Sequence, residues 1–167
     1  MNKKVVESAT KWWHYESDSR NYSERCWIML IGNYQHNIDP KGRVIMPAKF
    51  REELGDIFYA TKGKDNTITI LSKAAWDELG QKIASMPTAK TVQITRFLFS
   101  SAAELIPDKQ GRVLIPQQLR EYAGLDKDVV INGTGSKVEI WDGKAWDEYN
   151  NNLSGNDVYD IMNELEL

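Results

Sequence analysis

Cysteine is almost absent from this chain. Its 167 residues include only Cys26, so neither an intrachain disulfide framework nor a Cys-cluster metal site can be built. Histidine is nearly as scarce: with only His14 and His36, a zinc site would need carboxylates for most of its ligands. No apolar run approaches the roughly 18 residues that cross a bilayer, which excludes a membrane span. The opening segment MNKKVVESATKWWHY has basic residues but no apolar stretch behind them, so it does not read as a secretory signal. Sequence signatures of catalysis are missing too: there is no P-loop, no Gly-x-Ser-x-Gly and no His-Glu-x-x-His. Gly133-Thr-Gly135 looks like a phosphate loop only superficially, because it joins two expected strands and reads as a hairpin turn. The paired acids Glu52 and Glu53 fall on a short helix, where solvent is their natural environment. What remains is a soluble, cytosolic, non-enzymatic protein with no metal and no cofactor. Its charged fraction of 27% and hydrophobic fraction of 41% are those of a globular fold. The length suits one ordinary domain or two small repeats sharing a core.

The net charge of −3 hides an asymmetry. From Asp142 to Leu167 seven acids face one base, Lys144, a balance of −6; residues 1–28 hold five bases and four acids, a balance of +1. The middle, 29–141, is therefore −3 + 6 − 1 = +2. Lys41, Arg43, Lys49, Arg51, Lys62 and Lys64 crowd into one short stretch of it. Such asymmetry directs attention to an anionic partner.

An internal repeat organises the chain. Asp39-Pro-Lys-Gly-Arg-Val-Ile-Met-Pro-Ala-Lys-Phe-Arg-Glu-Glu-Leu-Gly55 returns as Asp108-Lys-Gln-Gly-Arg-Val-Leu-Ile-Pro-Gln-Gln-Leu-Arg-Glu-Tyr-Ala-Gly124, with eight of 17 positions identical. Downstream, Thr67-Ile-Thr-Ile-Leu-Ser72 is answered by Lys137-Val-Glu-Ile-Trp-Asp142, and Ala75-Trp-Asp-Glu78 by Ala145-Trp-Asp-Glu148. Each copy reads alike. Tyr34 to Ile38 alternates apolar and polar side chains like a half-buried strand. Pro40-Lys-Gly42 is a turn, and Val44 to Met46 a short buried strand. Pro47 then opens a short helix bearing Phe50 and Leu54 and ended by Gly55. Strands follow at 57–61 and 67–71, and a second helix starts from Ser72, or Asp142 in the other copy, as N-cap. The apolar face of that helix is Trp76, Leu79 and Ile83, matched by Trp146, Tyr149 and Leu153, so the tryptophans are expected as core anchors.

Four short strands and two short helices cannot close a core alone. Two copies with interleaved strands can, and closing them into a barrel would remove exposed edges. The expected fold class is therefore α+β: two pseudo-symmetric ββαββα-type repeats forming a shared swapped-hairpin β-barrel flanked by short helices. Repeat 1 is expected over 29–86, a linker containing Pro87 over 87–91, and repeat 2 over 92–153. An acidic amphipathic tail follows over 154–167, capped by Asp157, with Val158, Ile161, Met162 and Leu165 along one side.

The repeated element Asp-x-x-Gly-Arg-Val-apolar-apolar-Pro projects Lys41 and Arg43 from one turn and Lys109 and Arg112 from the other. Asp39 can brace Arg43, and Asp108 can brace Arg112. A planar, permanently charged guanidinium can also reach phosphates or a guanine edge. Both readings can hold, because a carboxylate that orients an arginine also preorganises it.

These segments, Tyr34-Gln-His-Asn-Ile-Asp-Pro-Lys-Gly-Arg-Val-Ile-Met-Pro-Ala-Lys-Phe-Arg-Glu and Asp108-Lys-Gln-Gly-Arg-Val-Leu-Ile-Pro, resemble the two signatures of the MraZ family. Its members are bacterial regulators with two tandem copies of the fold seen in AbrB-type transition-state regulators. The resemblance covers about residues 29–153. It implies binding of double-stranded DNA at short G-rich direct repeats upstream of the protein's own division and cell-wall operon, at the nucleoid, with regulation of that operon's transcription. It also implies a homo-oligomeric ring, of about eight or more subunits, whose repeated turns would gain affinity by avidity. The family's DNA-binding motif maps onto Asp39 and Arg43, with Lys41 in the same turn and Lys49 close behind. The second copy has Gln110 at the Lys41 position, although Lys109 precedes it, so Arg112 can be mainly structural.

Residues 1–28 depart from the family, whose members typically begin near Met29-Leu-Ile-Gly. They are expected to be either upstream DNA read as protein, with Met29 the true start, or a disordered, aromatic-containing tail. Under the first reading Lys4-Val-Val-Glu can be encoded as AAAGTGGTGGA, and Thr10-Lys-Trp-Trp, read one frame over, can contain AAAGTGGTGG. Those two boxes would lie about 20 base pairs apart, roughly two helical turns. One rival function stands beside DNA regulation: a ring that holds another protein, such as the neighbouring ribosomal-RNA methyltransferase that family members are linked to antagonising. The antitoxin of a toxin pair would need a single repeat, and the two tandem copies argue against it.

Overall fold

The computed structural model describes residues 29–166; the expectations for residues 1–28 lie outside them. In chain order the elements are β1 (Leu30–Asn37), β2 (Arg43–Ile45), α1 (Ala48–Leu54), β3 (Phe58–Lys62), β4 (Ile68–Ser72), α2 (Lys73–Ala84) and α3 (Thr88–Phe99). The second half supplies β5 (Ala103–Leu105), β6 (Arg112–Leu114), α4 (Gln117–Tyr122), β7 (Asp128–Gly135), β8 (Val138–Asp142), α5 (Gly143–Asn152) and α6 (Gly155–Glu164).

Local sequence accounts for most boundaries. Pro47 stands at the N-cap of α1 with φ −49°, and Gly55 ends that helix by donating its N–H to the Arg51 carbonyl. The Ser72 hydroxyl accepts from the Ala75 amide at 3.3 Å. At the start of α5 the Asp142 carboxylate accepts from Lys144 at 3.0 Å and Ala145 at 3.3 Å. The cap of α6 is Ser154, whose hydroxyl accepts from the Asp157 amide. Asp157 itself sits in the first turn, where its charge favours the helix N-terminus. Residues 88–91, expected in the connection between copies, form the first turn of α3.

The repeats interleave. Six strands form one sheet in the order β1-β7-β8-β4-β3-β5, with every neighbouring pair antiparallel. The second half's hairpin β7–β8 is thereby inserted between β1 and β4 of the first half. The expected barrel does not form: β1 and β5 are the two edges of an open sheet. The reason is chain direction. After β1, and again after β5, an aspartate-led turn carries the chain out of the sheet, so the next strands pair with each other as a separate ribbon, β2–β6. With only three residues, β5 also offers too short a ladder to close against the eight of β1.

The ribbon lies over the sheet and completes the core. Val44, Met46, Val113 and Ile115 are fully buried with Phe50 and Leu119 of the short helices and with Phe58, Ile68, Ile70, Ile131, Val138 and Ile140 of the sheet. Tyr34 meets Phe50 edge-on at 5.2 Å. Trp76 and Trp146 are outside this core, contrary to expectation, in two satellite aromatic clusters. Half-buried Trp76 stacks on Tyr59 and meets Phe99, while Trp146 packs with Trp141 and Tyr149. Both tryptophans lie on the helices that follow β4 and β8, and these pack on the other face of the sheet, against Tyr59 of β3 and Trp141 of β8.

Candidate nucleic-acid interface

Asp39 and Asp108 build two closely similar turns. Asp39 Oδ1 accepts the amides of Lys41 and Arg43, each at 2.9 Å. Its backbone carbonyl accepts from Gly42 at 2.8 Å, and its N–H donates to the Arg43 carbonyl at 2.9 Å. The second carboxylate oxygen accepts Arg43 Nε at 2.7 Å and pairs with Nη2 at 2.7 Å. In the second copy Asp108 makes the same set with Gln110 and Arg112, including Nε at 2.8 Å and Nη2 at 2.7 Å. The bracing role expected for both acids is thus present in both copies, and it engages one edge of each guanidinium. The arginine's charged hydrogen bond holds the Asp39 carboxyl below its usual range and lowers that of Asp108 from 3.8 to about 2. Both carboxylates stay ionised, and both forks stay aimed, at any physiological pH.

Each turn is closed by the opposite copy. The Gly42 carbonyl accepts from Ile115 at 2.9 Å, and the Gly111 carbonyl accepts from Met46 at 3.0 Å. Arg120 of α4 donates Nε to the Ile115 carbonyl at 3.0 Å and lays its guanidinium against Gly42; Arg51 of α1 does the same with Met46, at 3.1 Å, and Gly111. Both glycines have positive φ, +81° and +75°, and a Cβ on either would enter the guanidinium. Sequence reasoning gave Arg51 and Arg120 no role. Their signal was available, since this arginine is one of the eight identities between the copies; its hydrogen bond goes to a carbonyl five residues back in its own copy, but its packing on the glycine is across the repeats, which no local pattern reveals.

The ribbon fixes where the site residues go. Its register sets Arg43 opposite Leu114, Val44 opposite Val113 and Ile45 opposite Arg112. With the valines inward, Arg43 and Arg112 both lie on the outward face, at its diagonal corners. Lys41 is exposed at the tip of one turn and Lys109 at the tip of the other, beside exposed Gln110. Lys49 is exposed in the first turn of α1. The chain therefore brings the arginines of both copies onto one surface. The backbone of the second turn gives no ground for treating its arginine as less available; only the tip residues differ. A cleft of about 330 Å³ elsewhere is lined by Asp126, Asp128, Asp142 and Asp147, with His36 and Lys144. Its acidic lining is wrong for an anion. Among the described residues no cluster of histidine, cysteine or carboxylates could hold a metal, and no helix is long and apolar enough to cross a membrane.

Comparison with known proteins shows the family of the chain. A family model described as "MraZ protein, putative antitoxin-like" matches residues 29–95 and again 98–164, so the two matches meet within α3 and the second takes in α6. A protein of Acetivibrio thermocellus named "Transcriptional regulator MraZ" is 50% identical over 143 residues, covering 83% of this chain and the whole of that protein. Its namesake in Desulforamulus reducens is 51% identical over 124 residues, 73% of this chain and 87% of that protein. A third, from a Thermoanaerobacter species, is 45% identical over 143 residues and is also covered entirely. With both halves matched by one family model and whole relatives aligned at about half identity, the chain belongs to the MraZ family of transcriptional regulators, which are not enzymes.

Proposed function

We propose that this chain is a sequence-specific DNA-binding regulator that acts on short G-rich direct repeats upstream of its own division and cell-wall operon, in the cytoplasm at the nucleoid. The observation that carries this reading is the β2–β6 ribbon, which presents Arg43 and Arg112 on one exposed face with both forks held by carboxylates. A two-stranded ribbon fits the major groove, where an arginine can take a guanine edge; Lys41, Lys109 and Lys49 are available for the flanking phosphates. The net negative charge of the whole chain is no obstacle, because the acids concentrate beyond Asp142, away from this sequence region.

A single face of this size binds weakly, and a ring of copies on tandem boxes supplies the rest by avidity. Uncovered apolar side chains support self-assembly: Val92, Ile94 and Phe97 on α3, and Tyr159, Ile161 and Leu165 on or just after α6. The same uncovered stripes favour a second reading, a ring whose business is another protein.

Fluorescence anisotropy of the full chain on its upstream duplex, at two salt concentrations, separates the two. A regulator loses affinity with salt at a slope of about −0.9 per contacted phosphate, and Arg43→Ala weakens binding by about tenfold or more. Equal affinity for a scrambled duplex, or indifference to Arg43→Ala both here and in cells, would shift the reading to the protein-holding ring.

A further inference from the structure

The outward face of the ribbon is not uniformly polar. Between its two arginines stand Ile45 and Leu114, 47% and 57% exposed, on the opposite diagonal of the same four-residue patch. Single exposed aliphatic side chains need no explanation. Here both copies of the repeat place one at the same position, beside the arginines on a face that otherwise carries guanidiniums. The inward valines already supply the burial the ribbon needs, so the core does not require these two. Resting on the DNA-binding reading above, we infer that Ile45 and Leu114 are specificity-determining residues that press on thymine methyl groups while Arg43 and Arg112 take guanine edges or phosphates.

The chemistry of the groove singles out that partner. The major groove offers donors, acceptors and one apolar group, the C5-methyl of thymine. An aliphatic side chain between two arginines in a ribbon meets polar base edges unfavourably and a methyl favourably, so it discriminates thymine from cytosine without a hydrogen bond. The patch has a local two-fold relation, Arg43 and Ile45 exchanging with Arg112 and Leu114 about the Val44–Val113 pair. One chain therefore presents two similar half-faces, told apart by Lys41 in one turn tip and Gln110 in the other.

The test needs no destabilising variant. Full-length chain is titrated against a labelled duplex carrying two AAAGTGGTGG boxes, and against the same duplex with every box thymine replaced by deoxyuridine. Pairing and charge are unchanged; only methyl groups are lost. The wild-type chain is expected to bind the deoxyuridine duplex about fourfold more weakly for each methyl covered, the partition value of one buried methyl. The Ile45→Ala, Leu114→Ala double variant, checked by its melting curve, is expected to bind both duplexes alike. If the wild-type chain treats the two duplexes equally while Arg43→Ala still weakens binding by about tenfold or more, the inference falls and the DNA reading stands. If instead the double variant changes the size of the assembly and the wild type ignores the methyls, the pair is a contact between copies and the inference likewise falls. Failure of the wild-type chain to bind either duplex would overturn both readings.

Discussion

Replacing Gly42 with alanine tests the cross-repeat closure of the turns. At φ +81° any side chain with a Cβ costs about 1–2 kcal/mol. The added Cβ would also lie 2.8 Å from Arg120 Cζ and 2.9 Å from its Nε, so the guanidinium must leave. That breaks its hydrogen bond to the Ile115 carbonyl, worth about 0.5–1.5 kcal/mol net. The two effects together predict a loss of about 2–3 kcal/mol for Gly42→Ala. Gly124 supplies the control: its φ is +58°, and a Cβ there meets nothing within 4 Å, so alanine should cost only the backbone strain of about 1–2 kcal/mol. The measurement is urea unfolding followed by circular dichroism, at one protein concentration because assembly would couple to stability. In an Arg120→Ala background the cost of Gly42→Ala should fall to that of Gly124→Ala, a coupling of about 1 kcal/mol in the double-mutant cycle. Equal losses at the two glycines, with strict additivity at Arg120, would refute the closure.

Phe50 lies at the centre of the shared core with no exposed surface, so Phe50→Ala should cost about 3–5 kcal/mol, read by the same unfolding curves; a cost below 1 kcal/mol would show that the ribbon does not seal that core. The acid limb is set by the turns: the Asp108 carboxyl titrates at about 2 in the folded chain against 3.8 as its ordinary value. A depressed carboxyl contributes stability above the unfolded value and loses it as pH falls through the folded one. Melting curves of the parent and Asp108→Asn should therefore differ by a constant amount above about pH 4 and converge toward about pH 2. A carboxyl titration midpoint near 3.8 for Asp108 would refute the pairing.

Much of the molecule was legible in the sequence because it is written in local chemistry and then written twice. The aspartate that accepts two amides of its own turn, the glycine that permits the turn, and the proline that opens the next helix act within a few residues of one another. Duplication of that string made the signal hard to miss. Assignment of Asp39 with Arg43, and of Asp108 with Arg112, needed nothing more. The caps at Ser72 and Asp142 followed from the same local reasoning. At α6 the sequence pattern puts the cap at Asp157, whereas the helix is capped three residues earlier by Ser154, whose hydroxyl accepts the Asp157 amide.

Other features depend on distances the sequence does not carry. Interleaving of the copies follows from their shared need for a core, yet whether six strands close or stay open depends on where each chain leaves the sheet. Periodicity marks Trp76 and Trp146 as apolar-face residues, but the face of the sheet on which their helices pack decides that they lie outside the shared core. Arg51 and Arg120 were visible as a repeated identity without a partner, since each touches a turn in the opposite copy. The sequence by itself determined two arginine turns and the short elements around them. Tertiary structure alone decided that both turns flank one ribbon, with Ile45 and Leu114 between their arginines, because strand pairing across the repeats sets that register.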